Sequence, residues 1–178
     1  MKEQGIVLSH KAEEWSEQIA HVPMNRKILW KGMRTMIWPS MKYPLPACSF
    51  LPTEGRLITR KLYKRLLPEL GANRNFPLVW RHAPTSLQGL DLPDTYLEQG
   101  FEHVKTLLTI GDSKSIPGRL LRASLEAAQL ETGMNGSILR SDYNSWAHLL
   151  TQNTLVRAFW LFLSKNNIQI DVPAAQPP

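Results

Sequence analysis

Apolar residues recur three and four positions apart in about six separate stretches of this 178-residue sequence. That period puts them on one side of a helix, so each stretch needs a partner to cover it. The expected fold is mainly α, a multi-helix bundle with at most short peripheral strands. Ile6–Ser9 reads as a strand end, and Ser9 is positioned to cap a helix reaching about His21. Pro23 stops it. A second helix starts near Asn25, with Leu29, Met33, Met36 and Ile37 as its stripe, and is expected to bend or end at Pro39. "YPLPA" reads as extended, because a residue before proline is pushed out of the helical region.

Thr53 opens a third helix, with Leu57 or Ile58, Leu62 and Leu66 facing the core. "LVWRH" reads as a short strand. "APTSLQGLDLPD" is rich in turn formers and marks the boundary expected between two subdomains, 1–89 and 90–172. Asp94 or Thr95 caps the next helix, with a capping box between Thr95 and Glu98 and a stripe of Leu97, Phe101, Val104 and Leu108. Ser115 and Pro117 open another, with Leu121, Leu125 and Ala128 inward and Gly133 as its stop. Asp142 starts a short helix with Trp146 and Leu150. Asn153 caps a last one, apolar on two sides and therefore well buried. "NNIQIDV" reads as a helix end followed by a short strand, and 173–178 as a disordered tail.

Composition narrows the function classes. The chain is 43% hydrophobic and 20% charged, ordinary for a globular protein. Its formal charge is +6, which suits an anionic partner. Residues 1–82 carry 14 of the 21 Lys/Arg but only 6 of the 15 Asp/Glu, so the basic character belongs to the first half. A single cysteine rules out an internal disulfide framework and fits a reducing compartment. No stretch approaches a signal peptide core or a membrane span. An intracellular location, in nucleus or cytoplasm, and no membrane partner are the expectation.

Catalytic signatures do not appear. Cys48 has no second cysteine, and the five histidines are scattered, so no metal and no cofactor are expected. "GANRN" and "GDSKSIPG" lack the glycine spacing of a phosphate loop. No Gly-x-Ser-x-Gly elbow occurs. Cys48 as a nucleophile would need a histidine and a carboxylate brought to it by the fold. The chain does not read as an enzyme on its own.

The basic residues are patterned. Arg56, Arg60 and Lys64 recur every four positions, with Lys61 and Arg65 beside them and no acid between. Lys27, Lys31 and Arg34 share a face of the preceding helix. Arg74 and Arg81 flank "NFPLVW". Such clusters suit phosphate contacts, although each residue taken singly also suits a solvated helix face. Trp30, Trp38 and Trp80 offer rings for base stacking or for packing at the core and its rim.

The order of several short motifs carries a resemblance. "KAEEWSEQI", Trp30, "TMIWPSMKYPLPA", "GANRNFP", "APTSLQGLDLPDTYLEQGFEHVKTLL" and "GRLLRASLEAAQLETG" follow one another. This resembles the region downstream of the polymerase core in reverse transcriptases of non-LTR retrotransposons and related elements of microbial eukaryotes. Tyr43, Pro44 and Leu45 match one motif of that family. Gly71, Arg74, Asn75 and Pro77 match a loop, and Pro84, Gly89 and Leu90 match a turn in which Gln88 replaces a glycine. The resemblance covers roughly residues 10–170 and lacks the polymerase acids. It implies a thumb-like, non-catalytic piece of such a protein that holds a template–primer duplex or RNA–DNA hybrid. The missing polymerase core, or another protein, would be a further partner. The alternatives are a helical protein-interaction scaffold and a hydrolase or transferase built around Cys48.

Overall fold

A computed structural model describes residues 3–111, 113–150 and 155–170. The fold is mainly α, with no strand among the described residues. Two compact units divide the chain, Met1–Gln99 and Gly100–Pro178.

In the first unit, α1 (Glu3–His21) packs along α4 (Pro52–Glu69). Leu8, Ala12 and Ile19 of α1 are buried with Ile58, Leu62, Leu66 and Leu67 of α4. The expected strand at Ile6–Ser9 is therefore the first part of α1, and Ser9 is interior rather than a cap. A short apolar run has no period of its own; the stripe that Leu8 starts, continued by Ala12 and Ile19, decides for helix.

Between them α2 (Arg26–Gly32), a π-helical turn (Met33–Ile37) and α3 (Trp38–Lys42) follow one another without a break. The Asn25 side chain caps α2 by accepting the Lys27 N–H. The helix does not end at Pro39 but runs on to Lys42. An ordinary α-helix would press its ring against the Thr35 carbonyl. The π turn widens the helix just before it, and the Trp38 N–H reaches back five residues to Met33. The buried line is Leu29, Met33, Ile37, Met41 and Leu45, spaced by four throughout. An α-helix would carry such a line around its axis by about 40° per step. The wider turn reverses that drift once and keeps the line on the core. Met36 falls outside it and is 60% exposed, against expectation.

"YPLPA" is not extended. Leu45–Ala47 form a 3₁₀ turn, with the Ala47 N–H donating to Pro44 and the Cys48 N–H to Leu45. Pro44 and Pro46 sit at its start, where a missing N–H costs nothing. Cys48 is buried and its thiol donates to the Pro44 carbonyl, 3.1 Å away.

α4 starts at Pro52, and the Glu54 carboxylate accepts the Leu51 N–H. It ends in a Schellman turn: Ala72 N–H bonds Leu67, Gly71 N–H bonds Pro68, and Gly71 has φ +83°. "LVWRH" is not a strand but α5 (Leu78–His82), opened by Pro77. The chain then turns back, and the N–H groups of Leu90, Asp91 and Leu92 satisfy the carbonyls of Trp80, Ala83 and Arg81. Leu92 is buried in the first unit's core, so the turn-rich stretch 84–92 belongs to that unit. Gly89 is required in this turn, because a Cβ there would lie 2.0 Å from the Ala83 carbonyl oxygen. Gly89→Ala should cost roughly 1–3 kcal/mol, the usual penalty for overfilling a packed site. A denaturant midpoint unchanged from the parent would contradict it.

α6 (Thr95–Ile110) spans the division between units. Its cap is Asp94, whose Oδ1 accepts the N–H groups of Tyr96 and Leu97 at 2.8 and 3.1 Å. Thr95 does not form the expected capping box; its side chain is turned inward. The buried face is Tyr96, Gln99, His103 and Leu107. The expected stripe lies off it, with Phe101 56% and Leu108 66% exposed, Leu97 exposed and Val104 half-buried. Two polar residues take core positions here: Gln99 hydrogen-bonds both backbone groups of Phe50, within the first unit.

In the second unit, α7 (Ile116–Thr132) runs from a Ser115 cap to Gly133, which has φ +69°. Leu125 and Ala128 are buried and Leu121 is half-buried. Asp142 caps α8 (Tyr143–Trp146), where Trp146 is exposed while Leu150 beyond it is buried. α9 (Leu155–Lys165) buries Val156, Phe159, Trp160, Phe162 and Leu163. Gly100 faces the Phe162 ring so closely that a Cβ would come within 2.1 Å of it. The turn at Asn166–Asn167 ends α9, and residues 168–170 form no strand. The expected Asn153 cap and the tail at 173–178 lie outside the described residues.

Candidate nucleic-acid interface

Side chains on one face of a helix stand one turn apart, so Arg56, Arg60 and Lys64 form a row along α4 with about 6 Å between neighbours. This row lines an open groove of about 610 Å³ in the first unit. Arg74, from the loop after α4, and Arg81, from α5, line the same groove. Five of the ten candidate residues are thus brought together from three segments. Among the described residues no carboxylate pairs with Arg56, Arg60, Lys64 or Arg74.

The remaining candidates are placed otherwise. Lys61 is held by Glu13 of α1, and its ammonium keeps that carboxyl below the ordinary carboxylate range. Arg34 forms an ion pair with Asp91 and stacks over Trp30, 5.0 Å from the ring centre. Arg65 is exposed on α4 but does not line the groove. Lys27 and Lys31 are exposed on α2, also off the groove. Trp30 and Trp38 are half-buried against the core, while Trp80 is exposed.

The groove also holds residues that the sequence did not single out. Tyr63 lies against its floor, fully packed, and its hydroxyl donates to the Pro93 carbonyl. Burial, and then the nearby Asp94 charge, push the phenol far above its usual range, so it stays protonated. Arg81 lies over the Tyr63 ring at 5.8 Å and donates to the Phe76 carbonyl at 3.1 Å. His82 Nδ1 donates to the Leu92 carbonyl at 2.6 Å, leaving Nε2 3.9 Å from the Asp94 carboxylate. Two polar atoms at this floor, Arg81 Nε and Thr95 Oγ1, are buried without partners among the described residues. Leu57, Phe76 and Leu78 give the wall an apolar part, and Asn75 a neutral polar one.

The local sequence explains the assembly. Gly71 lets the chain reverse after α4, and the Arg26 guanidinium fills the space its missing side chain leaves, with a Cβ there coming 2.5 Å from Arg26 Cζ. The reversal carries Arg74 and Asn75 back beside α4. Pro77 then starts α5 so that Arg81 faces Tyr63. Cys48 is not part of the groove. Among the described residues no three His, Cys, Asp or Glu side chains group as metal ligands, and no helix is long and apolar enough to cross a membrane. No protein-family model, curated protein or solved structure matches the chain.

Proposed function

We propose that the first unit holds a nucleic acid by its phosphate backbone, in the manner of the reverse transcriptase thumb region that its motif order resembles. The observation that carries this reading is the convergence of Arg56, Arg60, Lys64, Arg74 and Arg81 on one groove, the first four without carboxylate partners among the described residues. The row on α4 has nearly the spacing of successive phosphates on one strand. Contacts of this kind position a duplex or RNA–DNA hybrid and carry little sequence information.

Binding should be sequence-indifferent and micromolar or weaker at physiological salt, on the order of other non-specific binding. Each phosphate contact adds about 0.7–0.9 to the slope of log affinity against log salt. The triple change Arg60→Ala, Lys64→Ala, Arg74→Ala should weaken binding and lower that slope by about two. Lys61 is left intact because Glu13 already engages it. Changing Lys27 and Lys31, off the groove, should lower the slope less. Absence of binding to duplex or hybrid at low salt, or an unchanged slope in the triple variant, would remove this reading.

A second reading, a protein-interaction scaffold, is favoured by one observation: the outward face of α6 in the second unit exposes Phe101 and Leu108. It requires no salt-dependent binding of nucleic acid.

A further inference from the structure

A surface that only tracks phosphates needs cations and no apolar wall. The groove has both. Leu57, Arg60 and Lys64 lie three and four positions apart on one face of α4, and Leu57 is 50% exposed on it. Phe76, half-buried against the core, and Leu78, exposed at the start of α5, line the same groove. The Asn75 amide, beside Phe76, offers both a donor and an acceptor.

The groove also has room for a nucleotide-sized group. About 610 Å³ falls in the range of pockets that take a molecule of nucleotide or drug size. A base-paired helix can lay its phosphates along the cationic row, but its bases stay stacked inside the duplex and do not reach the apolar wall. An unpaired nucleotide adds its base to that wall while its phosphates keep the same row. Stacked, unpaired bases on a positively charged groove are the general mode of single-strand binding.

We propose that the groove takes unpaired bases of a single-stranded segment, against its apolar lining of Leu57, Phe76 and Leu78. The inference rests on the backbone-holding reading above and adds to it which part of the nucleic acid occupies the groove. Phosphates contact Arg60, Lys64 and Arg74, and Asn75 meets a base edge without selecting one base.

The test compares three substrates on the full chain by fluorescence anisotropy: a blunt duplex, the same duplex with a four-nucleotide thymidine tail, and the same duplex with a four-nucleotide abasic tail. The two tailed substrates carry equal charge. The thymidine tail should bind about tenfold more tightly than the abasic one. The double change Leu57→Ala, Leu78→Ala, at exposed positions that leave the cations in place, should remove most of that preference while keeping the salt slope. Equal binding of the two tails overturns the inference and leaves the backbone reading standing. A preference that survives the double change unaltered places the bases elsewhere and also overturns it. Failure to bind any of the three at low salt removes both readings together.

Discussion

Trp160→Ala is expected to destabilise the second unit by roughly 3–5 kcal/mol, the range for truncating a fully buried aromatic. The side chain is 0% exposed. Its ring meets Tyr143 edge-on, with centres 5.2 Å apart, and its indole N–H donates to the Ser141 carbonyl at 2.9 Å. Truncation therefore removes a large apolar volume and also orphans a carbonyl. Trp160→Phe separates the two effects: it keeps most of the volume and should lose about 1–3 kcal/mol for the orphaned carbonyl, beside a smaller packing loss. Denaturant unfolding followed by circular dichroism measures both. A cost below about 1 kcal/mol for the alanine variant, the scale of an ordinary surface change, would contradict this burial.

Leu62→Ala should cost roughly 2–5 kcal/mol in the first unit. Leu62 is 0% exposed, between Ile58 and Leu66 on the inner face of α4. The same helix carries Arg60 and Lys64 on its outer side, so the experiment separates scaffold from surface. The denaturant midpoint should fall while the salt slope of nucleic-acid binding, measured where the variant is still folded, stays that of the parent. A lowered slope in the folded variant would mean that α4 had shifted and taken the cationic row with it.

The legibility of this chain divides by range. α4 was readable to within one residue of its start, expected at Thr53 and found at Pro52, because everything that forms it is local: the Glu54 carboxylate on the Leu51 N–H, the leucine stripe and Gly71 at the end. The row of Arg56, Arg60 and Lys64 was readable for the same reason. Its convergence with Arg74 and Arg81 was not, since that depends on how the chain reverses at Gly71 and starts again at Pro77. The ion pairs Lys61–Glu13 and Arg34–Asp91 join residues 48 and 57 positions apart and leave no sequence signal. α5 was misread as a strand because five residues are too few to show a period. α6 misled for a different reason. Its apolar residues suggested a face through Phe101 and Leu108, while Gln99 and His103 took the core. Gln99 enters the core because the Phe50 backbone, 49 positions away, takes both ends of its amide.

The π turn at Met33–Ile37 has a consequence for how the gene tolerates change. Loss of one codon within it would let the rod close into an ordinary α-helix, with better local hydrogen bonding than before. The helix on either side would keep nearly the face it has now, because the π turn absorbs the extra residue within one turn. Met41 and Leu45 would stay turned toward the core, and the damage would be confined to Pro39, whose ring would meet the carbonyl four residues before it. The same loss in an ordinary α-helical turn would instead rotate everything beyond it by about 100°. The π turn is therefore where this rod can change length without losing its buried line, and Pro39 is what holds the extra residue in place.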